Sequence, residues 1–140
     1  MVCDLVKDEL PEELKENNID IALLLFVLSA IEPNNMNNVL KKIHNSLKPG
    51  GLLLFRDYGL YDMTQMRFVK KKGRKIDDSF YVRADGTRTY FFSIEKFEAL
   101  AIEAGYEIEK LKYEVRELKN RKRKLTMYRV WLTAILKKSI

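Results

Sequence analysis

Arg56, Asp57 and Tyr58 bring a guanidinium, a carboxylate and a phenol together directly after the apolar run Leu52 to Phe55. At the carboxyl end of a strand in an α/β sheet, such groups face the ligand crevice. A carboxylate fixed there can stabilise positive charge as it develops, and a phenol can stack on a ring or hydrogen-bond to it. The plainer reading is an Arg56–Asp57 or Asp57–backbone pair that only shapes the loop. A second group, Tyr81, Arg83, Arg88 and Tyr90, flanks Asp85-Gly86. Aromatic and guanidinium surfaces are what an unstacked nucleobase requires. Its plainer reading is hairpin packing for the tyrosines and a solvated turn for the arginines. Two basic runs are phosphate-contact candidates: Arg67, Lys70, Lys71, Lys72, Arg74 and Lys75 without an intervening acid, then Arg121 to Lys124. Either could equally be a solvated lysine-rich loop. Asp4 closes a short apolar patch. Cys3 is the single cysteine and excludes an internal disulfide; with one histidine, His44, it also excludes a Cys/His zinc site.

These residues need elements to position them. Met1 to Leu5 reads as the last part of a strand that runs into acidic, helix-friendly residues from Val6 to Lys15. Ile19 to Val27 is apolar except for Asp20, as expected of a strand buried on both faces of a parallel, helix-covered sheet. Pro33 can open a helix whose apolar face is Met36, Val39, Leu40, Ile43 and Leu47, stopped by Lys48-Pro49-Gly50-Gly51. Leu52 to Phe55 is the next buried strand, so strand, helix and strand form one crossover unit.

After Tyr58 comes a long, charged segment that ends in a hairpin, Phe80 to Arg83 and Thr87 to Phe92 about the Asp85-Gly86 turn. Ser93 caps a helix with Phe97, Leu100, Ala101 and Ala104 on its apolar face and Gly105 at its end. Tyr106 to Leu118 and Leu125 to Leu136 then read as an antiparallel hairpin at the sheet's edge, turning through Asn120 to Lys124. Trp131, Phe91 and Phe97 are assigned to the core, and His44 receives no role. The 140 residues form one domain of α/β class.

The formal charge of +6 is modest, so its distribution matters more than its sum. No apolar run reaches the roughly 18 to 20 residues that span a bilayer, and the first residues carry acids where a signal peptide carries bases. No membrane partner is therefore expected, and with a single cysteine the cytoplasm, or another reducing compartment, is the default.

The strings "VCDL" at Val2 to Leu5, "LLLFVLSAI" at Leu23 to Ile31, "LKPGG" at Leu47 to Gly51, "FRDYGLYD" at Phe55 to Asp62 and "FYVRADGTRTYFF" at Phe80 to Phe92 carry a resemblance. The order of elements resembles the second half of the class I methyltransferase fold, a partial Rossmann-like sheet with a C-terminal antiparallel hairpin. The strings together resemble the tRNA 3-methylcytidine methyltransferases of the methyltransferase-like family. "LKPGG" is widespread among methyltransferases, whereas "FRDYGLYD" with "FYVRADGTRTYFF" is far more specific. The family's glycine-rich turn and ribose-binding acid, which lie upstream of "VCDL", have no counterpart, and no Gly-x-Gly occurs anywhere.

The resemblance implies that residues 1–140 are the C-terminal part of a methyltransferase domain, with an RNA-facing insertion at about 59–92. It implies S-adenosylmethionine as cofactor, with Asp4 and Leu5 at the adenine and Leu25 beside it on the next strand. It implies tRNA as partner, with a helper protein left open. The expected activity, belonging to the complete protein, is methyl transfer to N3 of a tRNA cytidine in the anticodon loop. That atom has an in-plane lone pair, so no strong base is needed, and the product ring is cationic. Asp57 is the carboxylate candidate for that charge, with Tyr58 stacking on or hydrogen-bonding to the base. Arg56, Lys70, Lys71, Lys72, Tyr81, Arg83, Arg88 and Tyr90 are the substrate-side candidates. Two rival readings stand beside this one: a noncatalytic RNA-binding scaffold that lacks the cofactor half, and a methyltransferase for protein or small-molecule substrates.

Overall fold

Isoleucine and leucine dominate the run from Ile19, and it forms strand β1, Ile19–Leu25. A computed structural model describes all residues, 1–140. After a 3-10 turn at Leu28–Ala30, Pro33 opens helix α1, Pro33–Ser46, where a missing N–H breaks no helical bond. Strand β2, Leu47–Tyr58, begins at the next residue, so Lys48 to Gly51, expected as a turn, is already part of the strand. Gly51 permits this. A Cβ there would stand 2.8 Å from the Lys48 carbonyl oxygen and 3.1 Å from that of Asp20, so the backbones approach more closely than any side chain allows. β1 and β2 are parallel, from Ile21 opposite Leu52 to Leu25 opposite Arg56.

The C-terminal hairpin is formed by β6, Glu107–Asn120, and β7, Leu125–Lys137, which complete a sheet of order β1-β2-β7-β6. β7 runs antiparallel to β2, with Leu52 opposite Lys137 and Tyr58 opposite Trp131. Helix α3, Ile94–Glu103, precedes the hairpin. The Ser93 hydroxyl accepts the Lys96 N–H at 3.0 Å, and Gly105, at φ +99°, carries the chain out of the helix.

The long segment after Tyr58 is more ordered than its polarity suggests. It contains helix α2, Met63–Val69, and a small antiparallel sheet of β3, Lys75–Asp77, β4, Phe80–Val82, and β5, Arg88–Tyr90. The expected hairpin about Asp85-Gly86 is β4 and β5. A bridge between Gly59 and Phe92 ties this unit to the main sheet.

The core lies on one side of the sheet. Leu24, Leu53, Phe55, Leu132, Ala134 and Leu136 meet α1 and α3 there, and Phe55 stacks on Phe97 with ring centroids 4.1 Å apart. On the other side Ile21, Leu23 and Leu25 remain 57%, 65% and 49% exposed. β1 is therefore not buried on both faces: its side chains alternate, and the helices cover only one face. Met1 to Leu5 is not a strand either. The Asp4 carboxylate accepts the N–H groups of Val6 and Lys7, and the Asp8 N–H bonds the Asp4 carbonyl, closing the segment into a turn. No helix is long and apolar enough to cross a membrane.

Candidate functional site

Alternation along β2 sends neighbouring side chains to opposite faces at its carboxyl end. Asp57 is fully buried on the helix side. One carboxylate oxygen accepts the Ser29 N–H at 2.9 Å, pinning the 3-10 turn after β1; the other accepts the Tyr58 N–H at 2.8 Å. Burial pushes this carboxyl up to about 6, against the lowering effect of those N–H bonds and of the Arg83 charge.

Arg56 and Tyr58 lie on the open face. Arg56 donates to Glu114 at 2.8 Å and to the Thr133 hydroxyl at 3.3 Å, and its guanidinium lies over the Trp131 ring. It pairs with Glu114 rather than with Asp57. Tyr58 is the centre of a cluster. Arg83 and Arg129 lie 5.5 and 5.7 Å from its ring centroid, and the Phe26 ring is 5.2 Å away. Each guanidinium over a ring face is a cation–π contact.

Arg129, Asp62, Phe26 and Trp131 join the site without having been chosen from the sequence. Buried Asp62 accepts from Arg129 Nε and the Val130 N–H, both at 2.8 Å, and from the Thr64 N–H at 3.0 Å, so it caps α2 and fixes Arg129 at once. The available signals were an arginine in the otherwise apolar run of β7 and an aspartate ahead of a helix-like stretch. Trp131, assigned to the core, is only part-buried and lies between Arg56 and Arg116.

The tyrosines of the small sheet do not face solvent. Tyr81 is buried against Phe68 and Phe91, and Tyr90 against Phe92 and Phe80, because their short strands turn these rings inward. Arg88 is held by Glu32 at 2.7 Å. Arg83 alone of that group reaches the Tyr58 cluster. The basic run is not a free loop: Arg67 lies in α2, Lys70 ends it, the Lys71 N–H bonds the Phe68 carbonyl, and Lys75 enters β3. Lys70, Lys71 and Lys72 are all exposed.

Asp4 lines a cleft with Val6, Lys7, Ala30, Ile31, Glu32, Asn35 and Arg88, and its carboxyl is held below the usual range by the Lys7 and Val6 N–H groups. Leu5 faces a separate apolar groove beside Ile43, and Leu25 lies on the open face of the sheet. The three residues expected at an adenine therefore do not converge, and nothing present cradles a ribose or a methionine. The residues of this chain do not by themselves fit S-adenosylmethionine.

Comparison with known proteins gives this geometry a family. A model described as "Methyltransferase domain" matches residues 4–111. The "O-methyltransferase 3" of Dictyostelium discoideum is 53% identical over 132 residues, covering 94% of this chain and 30% of that protein. The "tRNA N(3)-methylcytidine methyltransferase Mettl2" of Drosophila melanogaster is 46% identical over 139 residues, covering 99% of this chain and 42% of that protein. The "tRNA N(3)-cytidine methyltransferase METTL6" of Pongo abelii is 47% identical, covering 93% and 45%. The chain thus spans less than half the length of these curated relatives. Among solved structures, a SAM-dependent methyltransferase of Methanosarcina mazei superposes with a TM-score of 0.70 at 17% identity, covering 93% of this chain and 64% of that one. A Burkholderia thailandensis 1,6-didemethyltoxoflavin-N1-methyltransferase with bound S-adenosylhomocysteine gives 0.62 at 16%, covering 100% and 50%. The one-sided α/β sheet, the Tyr58 cluster at its carboxyl end and the match over residues 4–111 together place the chain in the methyltransferase domain family.

Proposed function

We propose that this chain is the acceptor-side part of an S-adenosylmethionine-dependent tRNA methyltransferase acting at N3 of a cytidine in the anticodon loop. The observation that carries the reading is 44–47% identity, over more than nine-tenths of the chain, to several proteins named as tRNA N3-cytidine methyltransferases. Catalysis belongs to a chain that also supplies the cofactor-holding half of the fold.

Within this reading Tyr58 touches the base. Tyr58 is part-buried on the open face beside Arg83, which bridges to no acid, so a cytosine can stack there by displacing that guanidinium. Asp57 is sealed from solvent and acts as a fixed negative charge behind the ring as that ring becomes cationic. The exposed Lys70, Lys71 and Lys72 add phosphate contacts. The cytoplasm is the compartment this reading implies.

The test is methyl transfer from labelled S-adenosylmethionine to tRNA by the complete protein, followed by nuclease digestion and mass spectrometry. The label is expected on 3-methylcytidine. Label on a ribose hydroxyl, a protein or a small molecule overturns the reading, and the "O-methyltransferase 3" name of a 53% identical relative makes a hydroxyl acceptor the specific rival. In calorimetry the 140-residue chain alone is expected to bind S-adenosylmethionine weakly or not at all.

A further inference from the structure

Three residues beyond Tyr58, the backbone takes an unfavourable conformation and presents an aromatic ring to water. Tyr61 has φ +66°, in the left-handed region that bulky side chains avoid, and it is 73% exposed. The conformation is fixed from both sides. The Leu60 N–H bonds the Phe92 carbonyl at 3.0 Å, the Tyr61 N–H donates to Oε1 of buried Gln65, and Asp62 is locked by Thr64, Arg129 and Val130. A strained residue persists where its surroundings over-determine it, and such residues cluster at ligand sites. Packing does not account for the ring, which makes no ring–ring contact, whereas Tyr58, Tyr81 and Tyr90 all do.

We infer that Tyr61 is a second base-stacking platform, taking an unpaired nucleotide of the RNA next to the one at Tyr58; this rests on the tRNA reading above. The Phe92 N–H bonds the Tyr58 carbonyl and the Leu60 N–H bonds the Phe92 carbonyl, so the backbone that carries both tyrosines is held at the same end of the sheet. The basic end of α2, with Arg67 and Lys70, follows within the next turns and supplies charge for the connecting phosphates. A π-face takes any base, so Tyr61 contributes affinity and spacing rather than base identity.

The experiment uses the 140-residue chain and an anticodon stem-loop RNA carrying 2-aminopurine in its loop. Tyr61→Asn removes the ring and places there a residue that tolerates left-handed backbone. The expected result is binding weakened about tenfold, the size of one stacking interaction, with loss of 2-aminopurine quenching and a melting temperature no lower than the parent's. Tyr61→Phe is expected to retain binding and quenching. Unchanged affinity and quenching in Tyr61→Asn, with the parent binding normally, overturns this inference alone. A fall in melting temperature that accounts for the weaker binding also overturns it, since the ring would then be structural. A parent chain that binds no RNA overturns the tRNA reading along with it.

Discussion

Phe55 and Asp57 on one face of β2 are all but sealed from solvent, while their neighbours Arg56 and Tyr58 on the other are only part-buried among guanidiniums and rings. The inner face is closed by α1 and α3 and is filled by carbon; its one charge, Asp57, is satisfied by two backbone N–H groups. The outer face is held by cation–π contacts and by the Arg56–Glu114 and Arg129–Asp62 pairs, leaving aromatic surface within reach of a ligand. A single residue step in an extended chain thus separates what keeps the domain folded from what it offers to a substrate.

The sharpest way to break that comparison is to truncate one ring on each face. Phe55→Ala should cost about 3 to 5 kcal/mol of stability in a denaturant titration, because the cavity beside Phe97 and Phe92 cannot fully collapse. Tyr58→Ala should cost about 1 kcal/mol or less, yet remove most methyl transfer in the complete protein. Equal losses of stability would mean that both faces are packing surfaces.

Acidity sharpens the contrast next. Asp57 is raised from its ordinary 3.8 to about 6, so between those values the folded state holds a proton that the unfolded state has released. Stability from this group is full below about 4 and is lost as pH rises to about 6, by up to roughly 3 kcal/mol. Asp57→Asn should flatten that slope in thermal melts at a series of pH values. Under the proposal that Asp57 acts as the charge behind the base, methyl transfer by the complete protein should climb as this carboxyl ionises, with its midpoint near pH 6. A parent whose stability is flat from pH 4 to 6 would place Asp57 in a wetter setting than its burial describes.

The smallest effect belongs to the basic run. Neutralising Lys70, Lys71 and Lys72 together should weaken binding to all tRNAs alike and lower the log-affinity against log-salt slope by about 0.7 to 0.9 for each phosphate that goes unpaired as a result. Loss of one tRNA species alone would give the segment a part in selectivity.

Much of the frame was legible because it is written in local periods: the α1 stripe of Met36, Val39 and Leu40, the Ser93 cap, the Asp85-Gly86 turn and the long terminal hairpin. Whether a strand's second face is covered is not a local property, so the apolar run of β1 could not reveal that Leu23 and Leu25 lie open. Helix α2 escaped because it is only seven residues long and runs into a charged stretch, and its cap Asp62 looked like one more loop acid. Within the candidate site, Asp57 and Tyr58 drew notice from their place directly after the apolar run Leu52 to Phe55, and they prove to be the last two residues of β2. Arg129 was not, since it meets Asp62 across 67 residues of sequence and Tyr58 only through the pairing of β2 with β7. The inward turn of Tyr81 likewise depends on packing against Phe68, from outside its own hairpin.

β1 carries one more consequence, for handling the protein rather than for its chemistry. It is the outermost strand of its sheet, seven residues long, with Asp20 as its only charge and no proline or lysine to discourage a newcomer. Its outer row of amide and carbonyl groups is a template on which another extended segment can lie down, and the exposed Ile21, Leu23 and Leu25 reward it. At the concentrations of purification this edge is expected to favour strand-on-strand self-association of the isolated chain, which light scattering across a dilution series would detect.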